Sequence, residues 1–271
     1  MKKKIVSICL VLAILAVAAT GTLAYFTDYD GAENTFVFGN ISIQQLEKER
    51  IEQSDANTDA TNIQDFTQDK ELFPAIRVDG TNANSGYAAW APGYQNFPTG
   101  GSSKLFTDAM GNVEDKFVFV ENDGANDVYF RTIVAIEKGS LPIEKNALIR
   151  INANTDHYTL NYIANRVTIG DSVYDILEFV YKRDNNDGKG AGVLSAGATS
   201  RPSLLQIYLR ADTTQEDVAL IDGNDDGKLN VLAVSQAVQT AGFSDAATAL
   251  DEAFGDLDAT SAAAYLAEYK A

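Results

Sequence analysis

The chain has 271 residues, a formal charge of −17, one cysteine and one histidine. That length suits one large domain or two small ones. The acidity excludes nucleic acid and anionic membrane as partners.

Lys2, Lys3 and Lys4 precede an apolar run from Ile5 to Ala19 that only Ser7 interrupts, and Thr22-Leu23-Ala24 follows. A positive start, an apolar core and small residues before a cut are the three parts of a secretory signal. Cleavage is expected between Ala24 and Tyr25. The competing reading is a retained anchor, but a span needs about 20 apolar residues, and this run is shorter and ends in small ones. Cys9 stands at the start of the apolar run, the wrong place for a lipid-anchored cysteine. Once the signal helix and Cys9 are removed, residues 25–271 have no disulfide to use and must be held by packing. The expected location is outside the cell, in the matrix or at the cell surface, with membrane contact only during export.

Next comes the segment 25–44. Phe36 and Phe38 share one strand face, Val37, Ile41 and Ile43 the other, and the apolar phase changes at Gly39-Asn40. Strand side chains alternate with period two, so two short strands are expected, Thr35–Phe38 and Ile41–Gln44. Residues 47–70 are rich in Glu, Gln, Asp, Asn and Thr and read as a polar insertion, a solvated helix plus loop. Leu72–Val78 reads as an edge strand because of Pro74. Residues 80–104 form a second polar insertion, a Gly/Asn/Ser-rich loop carrying Tyr87, Trp90, Tyr94 and Phe97. Those aromatics either pin the loop down or make a platform for a carbohydrate or a partner.

Strands are then expected over Lys116–Val120, Asp127–Lys138, Leu148–Ile151, His157–Ile169, Ser172–Lys182, Leu205–Arg210 and Leu229–Val238. Asn165-Arg166 and Gly170-Asp171 are candidate turns. Short helices are expected over Thr213–Leu220, after a Ser244 cap, and over Thr260–Tyr269. Many β segments, long loops and a few late helices predict a mainly β fold, a jelly-roll-like β-sandwich of one domain.

The chemistry-bearing residues are few. His157 is alone, so no His-Glu-x-x-His zinc motif exists, and no serine stands in a Gly-x-Ser-x-Gly elbow. Phosphate-binding and dinucleotide fingerprints are missing too, and the acids are too many to single out a glycosidase pair. Asp222, Asn224 and Asp226 occupy places one, three and five of a calcium-loop spacing, with Gly227 at six. The twelfth place is Ala233, which has no side-chain oxygen, and the following residues read as a strand. Calcium and a plain turn therefore both stand, and no other cofactor is expected.

The run Gly21-Thr22-Leu23-Ala24-Tyr25-Phe26-Thr27-Asp28, followed by Asn34-Thr35-Phe36-Val37-Phe38-Gly39-Asn40-Ile41, resembles the start of the TasA/camelysin family. Ser203–Tyr208 and Gln236–Phe243 look similar to stretches of exported proteins with this signal type. The resemblance implies a non-enzymatic jelly-roll subunit of a biofilm-matrix fibre, exported by a Gram-positive bacterium with a dedicated signal peptidase. It implies a head-to-tail homopolymer in which residues 25–40 insert as a donor strand into the next subunit, with other matrix proteins as further partners. Phe26, Thr35, Phe36, Val37 and Phe38 are then the polymerisation-strand residues. The alternative is that Thr35–Gln44 pairs within its own sheet. Some camelysin-like relatives carry a metalloprotease label, which this sequence offers no zinc site to support. A monomeric adhesion or carbohydrate-binding module and a secreted hydrolase are the competing functions.

Overall fold

The computed structural model describes residues 40–52, 60–77, 93–96, 102–105, 110–184 and 188–268. The chain divides into Met1–Asn40 and Ile41–Ala271, and the fold described is that of the second unit. It is mainly β, with antiparallel sheets and few helices. The strands are β1 (Ile43–Arg50), β2 (Ile63–Asp65), β3 (Ile76–Arg77), β4 (Gly93–Asn96), β5 (Ser102–Leu105), β6 (Met110–Gly111), β7 (Glu114–Asp115), β8 (Phe117–Asn122), β9 (Val128–Glu137), β10 (Ile149–Ala153), β11 (Tyr158–Ile169), β12 (Ser172–Tyr181), β13 (Leu204–Leu209) and β14 (Val231–Gln239). The α-helices are α1 (Gln215–Ile221), α2 (Ala246–Phe254) and α3 (Ala259–Ala267).

One layer is the four-stranded sheet β11-β12-β9-β14. The sheets β2-β1-β8 and β10-β13-β7 join into a second layer through backbone bonds. Ser203 N donates to Val118 O and Ser200 N to Val120 O, both at 2.8 Å, and Lys116 N donates to Leu205 O at 2.9 Å. β9 is buried along its whole length, as its run of β-branched and aromatic residues requires of a strand covered on both faces. Phe130, Val134 and Ile136 share a core with Val118, Val120, Leu204 and Ile207 of the second layer. Ile133 and Ala135 face the other way and meet Ala262 and Leu266 of α3. Helix α2 covers the neighbouring patch, setting Ala249 and Leu250 on Tyr129 and Val238.

Aromatic rings centre the shared core. Phe130 stacks on Tyr181 at 4.9 Å between centroids, and Tyr158 stands edge-on to Phe130, Phe179 and Tyr181. The Tyr158 hydroxyl donates to Arg201 O at 2.5 Å, which satisfies the one polar atom this ring carries into the core. Burial pushes its phenol well above the ordinary tyrosine range.

Several expectations need correction. The polar stretch from Glu47 does not begin a loop. β1 runs to Arg50, and β2 pairs back on it, because each charged side chain there has a partner across the fold. Asn165-Arg166 is not a turn but a bulge inside β11, where the register to β12 shifts and Arg166 takes a φ of 58°. Such an insertion bends a strand without ending it. The described residues 72–77 contribute the two-residue β3 and a bridge from Pro74 to Leu209. Within residues 80–104, β4 pairs with β5. The late helices are capped by Asp245 and Asp258, whose carboxylates accept from Thr248 N and from Thr260 and Ser261 N. The cap therefore lies at Asp245 rather than Ser244, since Asp245 stands three residues before the amide it serves.

Candidate functional site

β14 forms one edge of its sheet. β9 pairs with one side of it, and no strand pairs with the other among the described residues. A side chain reaches that open side: Gln45 Nε2 donates to Ala233 O at 3.2 Å, and Ser235 Oγ donates to Gln45 Oε1 at 2.8 Å. An open edge of this kind is a template for another strand unless it is covered or charged. β14 carries no charged residue.

Beside the edge lies a cavity of about 740 Å³. Ile207 and Leu209 of β13, Ile221 of α1, and Leu229, Val231 and Ala233 give it an apolar floor, continuous with the main core. Its rim is charged, and each of its lysines is paired with a carboxylate. Lys70 bridges Glu49 at 2.5 Å and Glu114 at 3.1 Å. Burial opposes the Glu49 charge, but hydrogen bonds from Lys70, Gln64 and Thr67 outweigh it and hold the carboxyl below its ordinary range. Burial likewise opposes the Lys70 charge, and Glu49 and Glu114 overcome it. Lys116 pairs with Glu47 and lies 3.7 Å from the centre of the Phe66 ring, a cation–π contact that fixes the ring at the rim. Lys228 pairs with Asp69 at 2.8 Å. The cavity's described lining holds no histidine, cysteine or serine. Paired charges around an apolar floor suit an apolar side chain entering beside a strand edge.

Asp222 and Asp226 stand on the same rim. Asp222 caps the C-terminus of α1, and its carboxylate accepts from Asp226 N at 2.9 Å and Gly227 N at 2.8 Å. Asn224 Nδ2 donates to Asp226 Oδ2 at 2.9 Å. That bond, against a smaller opposing effect of burial, keeps the Asp226 carboxyl below its usual range. The loop thus brings together the three residues singled out by spacing and leads from a helix into a strand. Calcium takes six to eight oxygens. The twelfth place, Ala233, lies inside β14, so the loop's side chains do not complete that shell. Among the described residues, no group of three His, Cys, Asp or Glu side chains is placed to hold a metal.

His157 is half-buried beside Asn154, with Nδ1 3.0 Å from Asn154 Oδ1. Burial, followed by the charges of Arg183 and Arg201, lowers its pKa to about 4. The ring is therefore neutral at physiological pH and serves a tight turn. Ala24, Tyr25, Phe26, Thr35, Phe36, Val37 and Phe38 lie outside the described residues, as do Tyr87, Trp90 and Phe97.

The cavity itself escaped the sequence. Its walls come from residues 66–72, 114–116, 207–222 and 226–233, and no local pattern joins those segments. The one available signal was Phe66, an isolated aromatic in a polar stretch. Comparison with protein-family models, curated proteins and solved structures finds no match.

Proposed function

We propose that the chain is a secreted structural subunit of extracellular or biofilm-matrix fibres, a jelly-roll-like β-sandwich that assembles head to tail by donating its N-terminal strand. The observation that carries this reading is the open edge of β14 beside an apolar cavity. The candidate donor, residues 25–40, directly precedes Ile41, where the β unit starts. In an extended strand Phe36 and Phe38 would share one face and Val37 would take the other, the pattern of a strand that adds by main-chain bonds and seats alternate side chains in pockets.

Export cleavage between Ala24 and Tyr25 would free the donor only outside the cell. A donor at one end and an acceptor elsewhere make a contact that does not close on itself, and such contacts build filaments. The jelly-roll reading draws support from pairings between strands distant in sequence, β8 with residues 198–203 and β9 with β14. Gln45 also brings β1 against the β14 edge.

The test compares protein starting at Tyr25 with protein starting at Gly39, by electron microscopy and light scattering, with and without calcium. Filaments from the longer form alone are expected. Monomers from both forms would sink strand donation and turn attention to a carbohydrate-binding role for the Tyr87–Phe97 loop. Ala233→Glu in the longer form places a charge on the acceptor edge. It should block filaments, and circular dichroism of the monomer checks that the fold survives a charge on the apolar floor.

A further inference from the structure

Lys138, Asn146 and Asp175 meet where β9 ends. Lys138 and Asp175 are 5% and 6% exposed, and Asn146 lies in the 3-10 turn Ile143–Leu148 that leads into β10. Lys138 Nζ donates to the main-chain oxygen of Asn146 at 3.0 Å. The Asn146 carboxamide nitrogen donates to Asp175 Oδ2 at 2.9 Å, and Lys138 Nζ stands 4.0 Å from that same oxygen. Arg166 Nη2 donates to the carboxamide oxygen of Asn146 at 2.8 Å.

Each group suits one step of an acyl transfer. The amine is a nucleophile and the carboxamide carbon an electrophile. The guanidinium sits on the oxygen where negative charge develops as the carbon is attacked. The same carboxylate oxygen stands 2.9 Å from the leaving nitrogen and 4.0 Å from the attacking one, so a small movement of the amine lets it shuttle the proton. We propose that Lys138 and Asn146 become joined by an intramolecular amide bond between Nζ and Cγ.

The neutral amine forms the Nζ–Cγ bond and gives up one hydrogen. Asp175 Oδ2 carries that proton to Nδ2, the Cγ–Nδ2 bond breaks, and ammonia departs. One carbon–nitrogen bond forms, one breaks, and nothing is oxidised or reduced. Burial lowers the Lys138 pKa to about 8, with Asp175 opposing and the nearby Arg166 and Arg150 charges assisting. A lysine desolvated beside other cations is the activated form of this nucleophile.

The β11 bulge takes its place in the same design. It holds Arg166 so that its main-chain N donates to Asp175 Oδ1 at 3.2 Å and Nη1 to Gly139 O at 3.2 Å. The guanidinium is thereby aimed at Asn146. The bond would tie β9 of one layer to the turn entering β10 of the other, a covalent link between layers in a domain without cysteine from residue 25 onward.

The test is a tryptic digest of the purified full chain, read by mass spectrometry. An acylated Lys138 resists trypsin, so residues 132–145 should appear linked to residues 146–150, lighter than the two peptides together by one ammonia. Lys138→Met and Asp175→Asn should each abolish the ammonia loss. The proposal is overturned if wild-type protein releases peptides 132–138, 139–145 and 146–150 at full mass. It is equally overturned if the loss survives in Lys138→Met, because a succinimide at Asn146 sheds the same ammonia without needing the lysine.

Discussion

Two clusters of buried charge in this fold are built in opposite ways. Arg50 and Asp115 form a closed pair. Arg50 Nε donates to Oδ2 at 2.6 Å and Nη2 to Oδ1 at 2.8 Å, while Gln206 Nε2 adds a bond to Oδ1 at 2.9 Å. Lys138 and Asp175 stand 4.0 Å apart, with the Asn146 carboxamide on the same carboxylate oxygen. In the first cluster the carboxylate is saturated by its cation, and the groups hold the junction of β1, β7 and β13. In the second the carboxylate is shared, and the amine is pushed towards its neutral, reactive form. Saturation makes a lock, whereas an underpaired amine beside a carboxamide leaves chemistry open.

The largest expected effect tests the lock. Asp115→Ala strands a guanidinium whose side chain is 1% exposed, and arginine cannot shed its proton. Breaking a buried pair in this way costs about 3–5 kcal/mol, readable as a lowered urea midpoint at unchanged slope. Next comes Gly139→Ala, beside the open cluster. Gly139 has a φ of +50°, and an added Cβ would lie 2.3 Å from Leu220 O and 2.4 Å from Ile221 O. Strain and clash together should cost about 2–3 kcal/mol. A loss under 1 kcal/mol would show that the 220–223 segment yields easily. Asp175→Ala, made in the Asn146→Ala background where Lys138 remains a free amine, should cost less, about 1–2 kcal/mol from lost hydrogen bonding such as that from Arg166 N, because Lys138 can become neutral. Equal losses at Asp115 and Asp175 would erase the contrast.

A pH measurement sharpens the comparison. In Asn146→Ala the Lys138 amine stays free, with its folded pKa lowered to about 8 from 10.5. Between those values the unfolded chain binds more protons than the folded one, so stability should rise with pH across the window. Below pH 8 both states hold the proton and the slope should vanish. Wild-type protein carrying the amide bond has no amine to titrate and should lack the rise. Thermal melts of the two proteins from pH 7.5 to 10.5 make the test.

The contrast also marks what was legible in the sequence. β8 was readable because Phe117–Val120 is apolar on both faces, β9 because Val128, Phe130, Thr132, Val134 and Ile136 alternate, and Gly170-Asp171 punctuated the β11–β12 hairpin. The end of β1 was not readable. Glu47, Lys48, Glu49 and Arg50 look solvated, and only the fold supplies Lys116, Asp65, Lys70 and Asp115 opposite them. The cavity beside β14 escaped for a related reason: its walls come from segments that only the fold brings together. Asp222, Asn224 and Asp226 were found because a loop motif is local. Lys138, Asn146 and Asp175 were missed because their meeting depends on two layers closing. Arg166 was misplaced because a bulge and a turn share the same left-handed residue.

The smallest effect belongs to His157, a lone titrating group to set beside the two clusters. Its folded pKa lies near 4, against 6.5 for an unperturbed ring, chiefly through burial and then through Arg183 and Arg201, with Asp156 opposing. A depressed histidine pKa means that the folded state favours the neutral ring. As pH falls from 6.5 towards 4 the unfolded chain takes up the proton first, so stability should decline across that window. Carboxylates with lowered pKa values, Glu49 and Asp226 among them, add their own decline at the acid end, so wild type alone cannot isolate the ring. His157→Gln keeps a side chain able to donate to Asn154 Oδ1 and removes the titration. The difference between the two stability curves should therefore be flat above pH 7 and open steadily below 6.5. The ring is half-exposed and solvent screens the arginine charges, so the gap should be modest. A constant difference across the range would mean that the ring is hydrated in the folded protein and that its burial in the Asn154 turn is too shallow to matter.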